Sequence, residues 1–249
     1  MKSFDFPAGE VLLINKPYGW TSFDAVNKIK ILIRKKLREK QVDKGAKPKI
    51  KVGHAGTLDP LATGLLIVCT GKETKNLDSY QAQEKEYTGT FRLGATTPSF
   101  DLEKEIDAVF PTDHLTEALL LEAARKFVGL QDQVPPLFSA LKVGGRRAYK
   151  IARAGKKAEI PARQITIREF EITGIQLPDV HFRLVCSKGT YIRALARDFG
   201  LALSSGAHLT ALCRTRIGTF ELKDSLGMEE FEALCSASSS PLTEGISTI

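Results

Sequence analysis

Gly53-His54-Ala55-Gly56-Thr57-Leu58-Asp59-Pro60-Leu61-Ala62-Thr63-Gly64-Leu65-Leu66 is the stretch on which the reading of this chain turns. It sets one carboxylate, Asp59, among small and apolar residues with glycines around it. A proline directly after Asp59 disfavours helical backbone there and places the residue in a loop or turn. Gly53, Gly56 and Gly64 permit tight turns or close approach of another backbone. From Leu65 to Thr70 the run is apolar and predicts a short strand buried on both faces. On the residues alone, two readings of Asp59 stand: a catalytic carboxylate in a rigid loop beside a core strand, or an Asp that accepts turn hydrogen bonds.

Outward from this stretch, the composition sets the class. The chain has 249 residues, 43% of them hydrophobic, which supports one large domain or two small ones with a normal core. Its formal charge of +7 suits a polyanionic partner. Cys69, Cys186, Cys213 and Cys235 are far apart without a C-x-x-C pair, which argues against a structural metal. Cys69 and Cys186 lie in apolar runs and read as small core residues. Met1 to Pro7 lacks the apolar core of a signal peptide, and no apolar run reaches membrane-spanning length. The expectation is a soluble cytoplasmic protein with reduced thiols and no structural metal.

Glu10 to Asn15 reads as a strand, followed by a Lys16-Pro17-Tyr18-Gly19 turn and a helix capped by Thr21 or Ser22, with Asp24 placed for a capping box. Arg34 to Lys51 is rich in Lys and Arg and reads as a solvated basic loop. Glu86 to Leu93 alternates as a strand with Tyr87, Gly89, Phe91 and Leu93 on one face. Thr96 to Pro111 reads as an acidic loop, and Thr116 caps a helix that ends at Gly129. Ala148 to Ala154 is a short helix, Gln164 to Ile172 and Val180 to Cys186 are strands, and Thr190 caps a helix reaching Gly200. Gly218 to Leu222 is a last strand, Met228 to Leu234 a short helix, and Ser236 to Pro241 a linker.

Two local features bear on function. Lys142, Arg146, Arg147, Lys150 and Arg153 surround Phe138 and Tyr149, a mixture of cations and rings that suits phosphates and splayed bases as well as an ordinary basic surface. Arg193 falls in the first turn of its predicted helix, against the helix dipole, which points to an anion nearby. Ser139-Ala140-Leu141-Lys142 has the S-x-x-K spacing of serine acyl-enzymes, but the S-D-N and K-T-G elements that support such a site are absent.

The opening stretch resembles the signature of the tRNA pseudouridine-55 synthases, the TruB family. Asn15 to Ser22, Lys85-Glu86-Tyr87, Val134 to Tyr149 and Cys186 to Arg193 resemble further blocks of that family in the same order, over about Val11 to Phe220. The resemblance implies the α+β pseudouridine synthase fold, with a mixed, largely antiparallel sheet and a catalytic cleft. It implies one catalytic domain over residues 1–235, with a basic thumb at about 133–163 and a short tail at 236–249 in place of a PUA domain. The implied activity is isomerisation of uridine 55 in the tRNA T-loop by a monomer that needs no cofactor, metal or obligate protein partner. The implied catalytic residues are Asp59, the carboxylate, Arg193, its paired cation, and Tyr87, the ring that stacks on the target base and relays the proton from C5. His54 would fill the space left by the flipped base, Leu212 would line the pocket, and Lys16 and Pro17 would support the loop. Lys142, Arg146, Arg147, Tyr149 and Arg153 would grip RNA. Cys213 stands where a basic residue is common in the family. A guide-RNA-directed relative shares these motifs, and a tRNA-binding chaperone with an idle site is the non-enzyme alternative.

Overall fold

The computed structural model describes residues 4–39, 48–139, 141–156 and 158–236, and only the backbone of Lys142 and Val143. The strands are β1 (Val11–Lys16), β2 (Val52–Ala55), β3 (Thr63–Thr70), β4 (Lys85–Leu93), β5 (Ala95–Thr96), β6 (Ala108–Val109), β7 (Gly129–Gln133), β8 (Lys142–Val143), β9 (Arg146–Arg147), β10 (Arg163–Gln176), β11 (Asp179–Cys186), β12 (Ala207–Ile217) and β13 (Phe220–Glu221). The helices are α1 (Ser22–Glu39), α2 (Leu77–Ala82), α3 (Glu117–Lys126), α4 (Ala148–Arg153), α5 (Ile192–Ala202) and α6 (Met228–Ser236). Nine strands form one sheet in the order β1-β3-β12-β4-β11-β10-β7, with β2 on β3 and β13 on β12. Every pairing in it is antiparallel except β12 with β3. The expected mixed, largely antiparallel α+β architecture is present.

Alternation explains the layers. Tyr87, Phe91 and Leu93 of β4 and Val180, Phe182 and Leu184 of β11 turn to one face, where Leu120 of α3 and Leu195 and Phe199 of α5 cover them. A second cluster joins Leu12 and Ile14 of β1 to Ile29, Leu32 and Ile33 of α1 and Phe231 of α6. β3 is buried from Gly64 to Thr70 because it has a strand on each side and side chains packed on both faces.

One edge of β3 pairs with β1. Its other edge is shared: Thr63 and Gly64 meet β12, whereas Ile67 to Thr70 meet β2. The sheet therefore forks at Leu65, and the Asp59 loop emerges between β2 and β3. Gly64 makes the join possible. Its φ is +102°, and a Cβ there would lie 2.4 Å from the Arg214 carbonyl oxygen.

Several local expectations need correction. α1 runs on to Glu39, so Arg34 to Glu39 is helix rather than loop, carried by the apolar face of Ile29, Leu32 and Ile33; residues 40–47 lie outside the described residues. Thr190 does not cap α5. Its hydroxyl donates to the Ser187 carbonyl, and Tyr191 precedes the helix without a side-chain cap. Gly129 opens strand β7, and the predicted last strand shrinks to Phe220–Glu221 beside the long β12, which was not expected. The acidic loop contains the small β5–β6 ladder and buries Asp101. The linker expected at Ser236 to Pro241 begins with the last residue of α6, and residues 237–249 lie outside the described residues.

Candidate active site

Asp59 is fixed from behind by the β1–α1 corner. The Ser22 hydroxyl accepts from the Leu58 amide at 2.9 Å and donates to the Leu58 carbonyl at 3.2 Å. The Gly19 amide donates to the Pro60 carbonyl at 2.9 Å. Lys16, fully buried, donates to the carbonyls of Trp20 at 2.6 Å, Pro17 at 2.9 Å and Pro60 at 3.5 Å. Burial lowers its pKa to about 8, against the raising effect of the Asp59 charge. Lys16 and Pro17 thus stand behind the loop and line a different groove from the one that Asp59 faces.

In front, α5 delivers Arg193 to Asp59. Its Nε donates to Asp59 Oδ2 at 2.8 Å and its Nη2 to Oδ1 at 3.1 Å, a bidentate pair. Nη1 also donates to the Ser99 carbonyl at 3.1 Å and Nη2 to that of Phe138 at 2.9 Å. Asp101 Oδ2 lies 3.5 Å from Nε. Arg193 is only 4% exposed, while Asp59 keeps 38% of its side chain accessible. Burial alone would lower the arginine's pKa, but Asp59 and Asp101 together hold it above its usual value. Asp101 in turn is pushed up, chiefly by burial. The cation placed against its helix dipole therefore has two anions, one of them unforeseen.

Asp59 opens on a cleft of about 350 Å³ lined also by Tyr87, Leu212, Lys85, Arg214, Ser139, Arg163 and Tyr191. Tyr87 is buried, which raises its pKa against the nearby Arg214 charge. The structure thus brings Asp59, Arg193, Tyr87 and Leu212 together. His54, on β2, is half-buried next to the loop and does not line the cleft; burial and the Arg214 charge lower its pKa. The basic segment lies between β7 and β10, which pair with each other, so it projects as an insertion from the sheet. Within it, Arg146 and Arg147 are exposed on the β8–β9 ladder, and the side chain of Lys142 is outside the description. The Arg153 guanidinium sits 5.6 Å from the Tyr149 ring centroid and pairs with Glu103 at 3.1 Å. Arg146, Arg147 and Arg153 do not line the cleft.

Sequence reasoning missed Asp101, Lys85 and Arg214 as site residues. Nothing local distinguishes Asp101 from the other acids of its loop. Arg214 did leave a signal, since it shares the inward face of β12 with Leu212. No group of three or more His, Cys, Asp or Glu side chains among the described residues is arranged to hold a metal ion.

Comparison with known proteins fits this geometry. The model of the TruB family pseudouridylate synthase N-terminal domain matches residues 40–192, and that of the tRNA pseudouridylate synthase B C-terminal domain matches residues 193–245. The tRNA pseudouridine synthase B of Flavobacterium johnsoniae is 56% identical over 92% of this chain and 96% of its own length. That of Phocaeicola vulgatus is 56% identical over 91% of this chain and 93% of its own. Among solved structures, a Cbf5-Nop10-Gar1 complex superposes with a TM-score of 0.67 at 28% identity, covering 92% of this chain and 54% of that one. An H/ACA RNP bound to a substrate RNA containing 2'-deoxyuridine gives 0.63 at 25%. The chain spans about half the length of those two structures. The fold is that of the pseudouridine synthases. No helix among the described residues is long and apolar enough to cross a membrane. With a family model over most of its length and relatives identical at more than half of the aligned positions, the chain belongs to the TruB family of pseudouridylate synthases.

Proposed function

We propose that this protein isomerises uridine 55 in the T-loop of tRNA to pseudouridine, with Asp59 as the catalytic carboxylate. The observation that carries the reading is the accessible Asp59 carboxylate, locked in one orientation by a bidentate buried arginine, on the wall that also holds Tyr87. The reaction detaches uracil from C1′, turns it and rejoins it through C5, so it needs no net oxidant or reductant. The nucleotide must leave the stack to be reached. Asp59 then attacks C1′ or takes the proton at C2′, either of which needs the ionised form. Arg193 holds both carboxylate oxygens and fixes the rotamer. Tyr87 stacks on the flipped base, Leu212 supplies an apolar wall, and His54 occupies the space that the base vacates. Lys16 and Pro17 act indirectly, by holding the loop.

The RNA is gripped by the inserted segment, through Lys142, Arg146, Arg147, Tyr149 and Arg153. The protein works as a cytoplasmic monomer on the T-arm of tRNA, as a single catalytic domain over residues 1–235 with its thumb at about 133–163. The 56% identity to tRNA pseudouridine synthases supports this reading above the guide-RNA-directed one. The test is incubation with an unmodified tRNA transcript followed by nucleoside analysis. Pseudouridine at position 55 is expected from the parent and none from Asp59→Asn, which should still bind tRNA. Near-normal turnover by that variant removes Asp59 from the mechanism.

A further inference from the structure

The cleft holds a second set of charges that the roles above leave unused. Lys85 lies two residues before Tyr87 on the same face of β4, and Arg214 is the cross-strand partner of Tyr87 on β12. Both line the cleft, yet they are 5% and 1% exposed. Their polar heads are tied to backbone carbonyls and, for Arg214, also to the Tyr87 hydroxyl. Lys85 donates to Gln81 and Gln83, and Arg214 donates to Leu65 at 2.7 Å and Gly56 at 3.0 Å across the fork in the sheet. Carbonyl dipoles fix the position of a cation but do not cancel its charge. Among the described residues no carboxylate lies within 4.0 Å of either head, whereas Arg193 in the same site meets Asp59 and Asp101. Lys85 faces Arg214 and Lys188, both cations, and Cys186, whose thiol burial pushes up to about 12. Two buried cations therefore flank one aromatic ring without counter-charge, an arrangement that is unfavourable in the resting protein.

We infer that Lys85 and Arg214 form an electrostatic clamp for the departing uracil. This rests on the isomerase reading. When the C1′–N1 bond breaks, both electrons stay with the base, and the charge spreads from N1 to O2 and O4. C1′ is meanwhile taken by an Asp59 oxygen, or C2′ gives its proton to Asp59. After the ring turns, C5 bonds to C1′ as the Asp59–C1′ bond breaks, or as Asp59 returns the proton to C2′; the C5 proton leaves and N1 gains one, so atoms and electrons balance and the carboxylate is regenerated. Two preorganised cations on the Tyr87 side act when the base carries charge and require no reorganisation at that moment. Lys85 and Arg214 thus serve the leaving group, while Arg193 serves the carboxylate.

The test uses T-arm RNAs carrying uridine or 5-fluorouridine at the target position. Fluorine stabilises the N1 anion, so cleavage of that base depends less on the clamp. Single-turnover loss of the starting nucleoside is read after quenching, digestion and chromatography. Lys85→Gln should slow uridine loss by about 100-fold but 5-fluorouridine loss by only about tenfold, with RNA affinity unchanged. Lys85→Arg should recover most of the rate on both. The same ratio read in Arg214→Gln carries the test where Lys85→Gln does not fold. Equal losses on the two bases, or uridine rates within about threefold of the parent, overturn the clamp. A parent that consumes neither RNA overturns the isomerase reading instead.

Discussion

Replacing Arg193 by Lys isolates the geometry of the carboxylate from its electrostatics. The guanidinium makes two bonds to Asp59 and one each to the Ser99 and Phe138 carbonyls. An ammonium keeps the charge but has one nitrogen, so it cannot hold both carboxylate oxygens and reach both carbonyls. Loss of two charge-assisted bonds at about 1.5 kcal/mol each, the low end of their range, removes about 3 kcal/mol of stability. For a chain of this size that lowers the melting temperature by about 6–12 °C. The catalytic effect should be larger than a structural loss alone would give. Asp59 is 38% exposed, and among the described residues Arg193 is its side chain's one ion-pair partner. A displacement of about 1 Å costs about 100-fold in rate. The assay is single-turnover pseudouridine formation on a T-arm RNA, beside thermal melting and RNA affinity. The expected result is a folded variant with near-parent affinity and a rate reduced about 100-fold. A rate within about threefold of the parent, alongside the expected melting shift, would show that Arg193 braces the protein without aiming the carboxylate.

Gly64→Ala should unfold the join between β3 and β12, because its Cβ would meet the Arg214 carbonyl at 2.4 Å in a left-handed backbone; a loss above about 3 kcal/mol in denaturant melts is expected, and a neutral result would deny that the strands touch there. The rate should fall above about pH 8. Burial lowers Lys85 and Lys16 to about 8, so both carry charge below that pH and lose it above, and Lys85→Arg should move its share of the fall to higher pH; a flat parent profile to pH 10 would count against the charge of either lysine. Replacing exposed Arg146 and Arg147 by Ala should weaken tRNA binding and flatten the log–log salt dependence of affinity by about one to two units, and an unchanged slope would move the RNA away from the inserted segment.

How much of this could be read beforehand follows from how far each residue's neighbours lie in sequence. β1, β3, β4 and β11 announce themselves because apolar runs or alternation are properties of the strand itself. The cap of α3 is likewise local: the Thr116 hydroxyl accepts from the Leu119 amide three residues on. β12 escaped because its inward register contains Arg214 where an apolar residue is expected, and its outward residues are polar or small. That arginine is inward because the sheet forks at Leu65 and leaves carbonyls of β3 and the Asp59 loop for it to satisfy. The fork depends on residues about 150 positions away, beyond any local pattern.

The misfits in the sequence are not scattered through the structure. Arg193 opposes its own helix dipole, Lys85 occupies a core-facing position of β4, and Arg214 does the same on β12. Each breaks the rule of its element; Lys85 and Arg214 line the Asp59 cleft, and Arg193 holds Asp59 itself. Burying one such cation is unfavourable unless something compensates for it. For Arg193 the compensation is in the chain, as Asp59 and Asp101. For the other two, the described residues offer carbonyls and, to Arg214, the Tyr87 hydroxyl, but no carboxylate, so in the inferred clamp the negative charge comes with the substrate. In the proposed reaction the base becomes anionic when the C1′–N1 bond breaks, which is the moment at which the two unpaired cations acquire their partner.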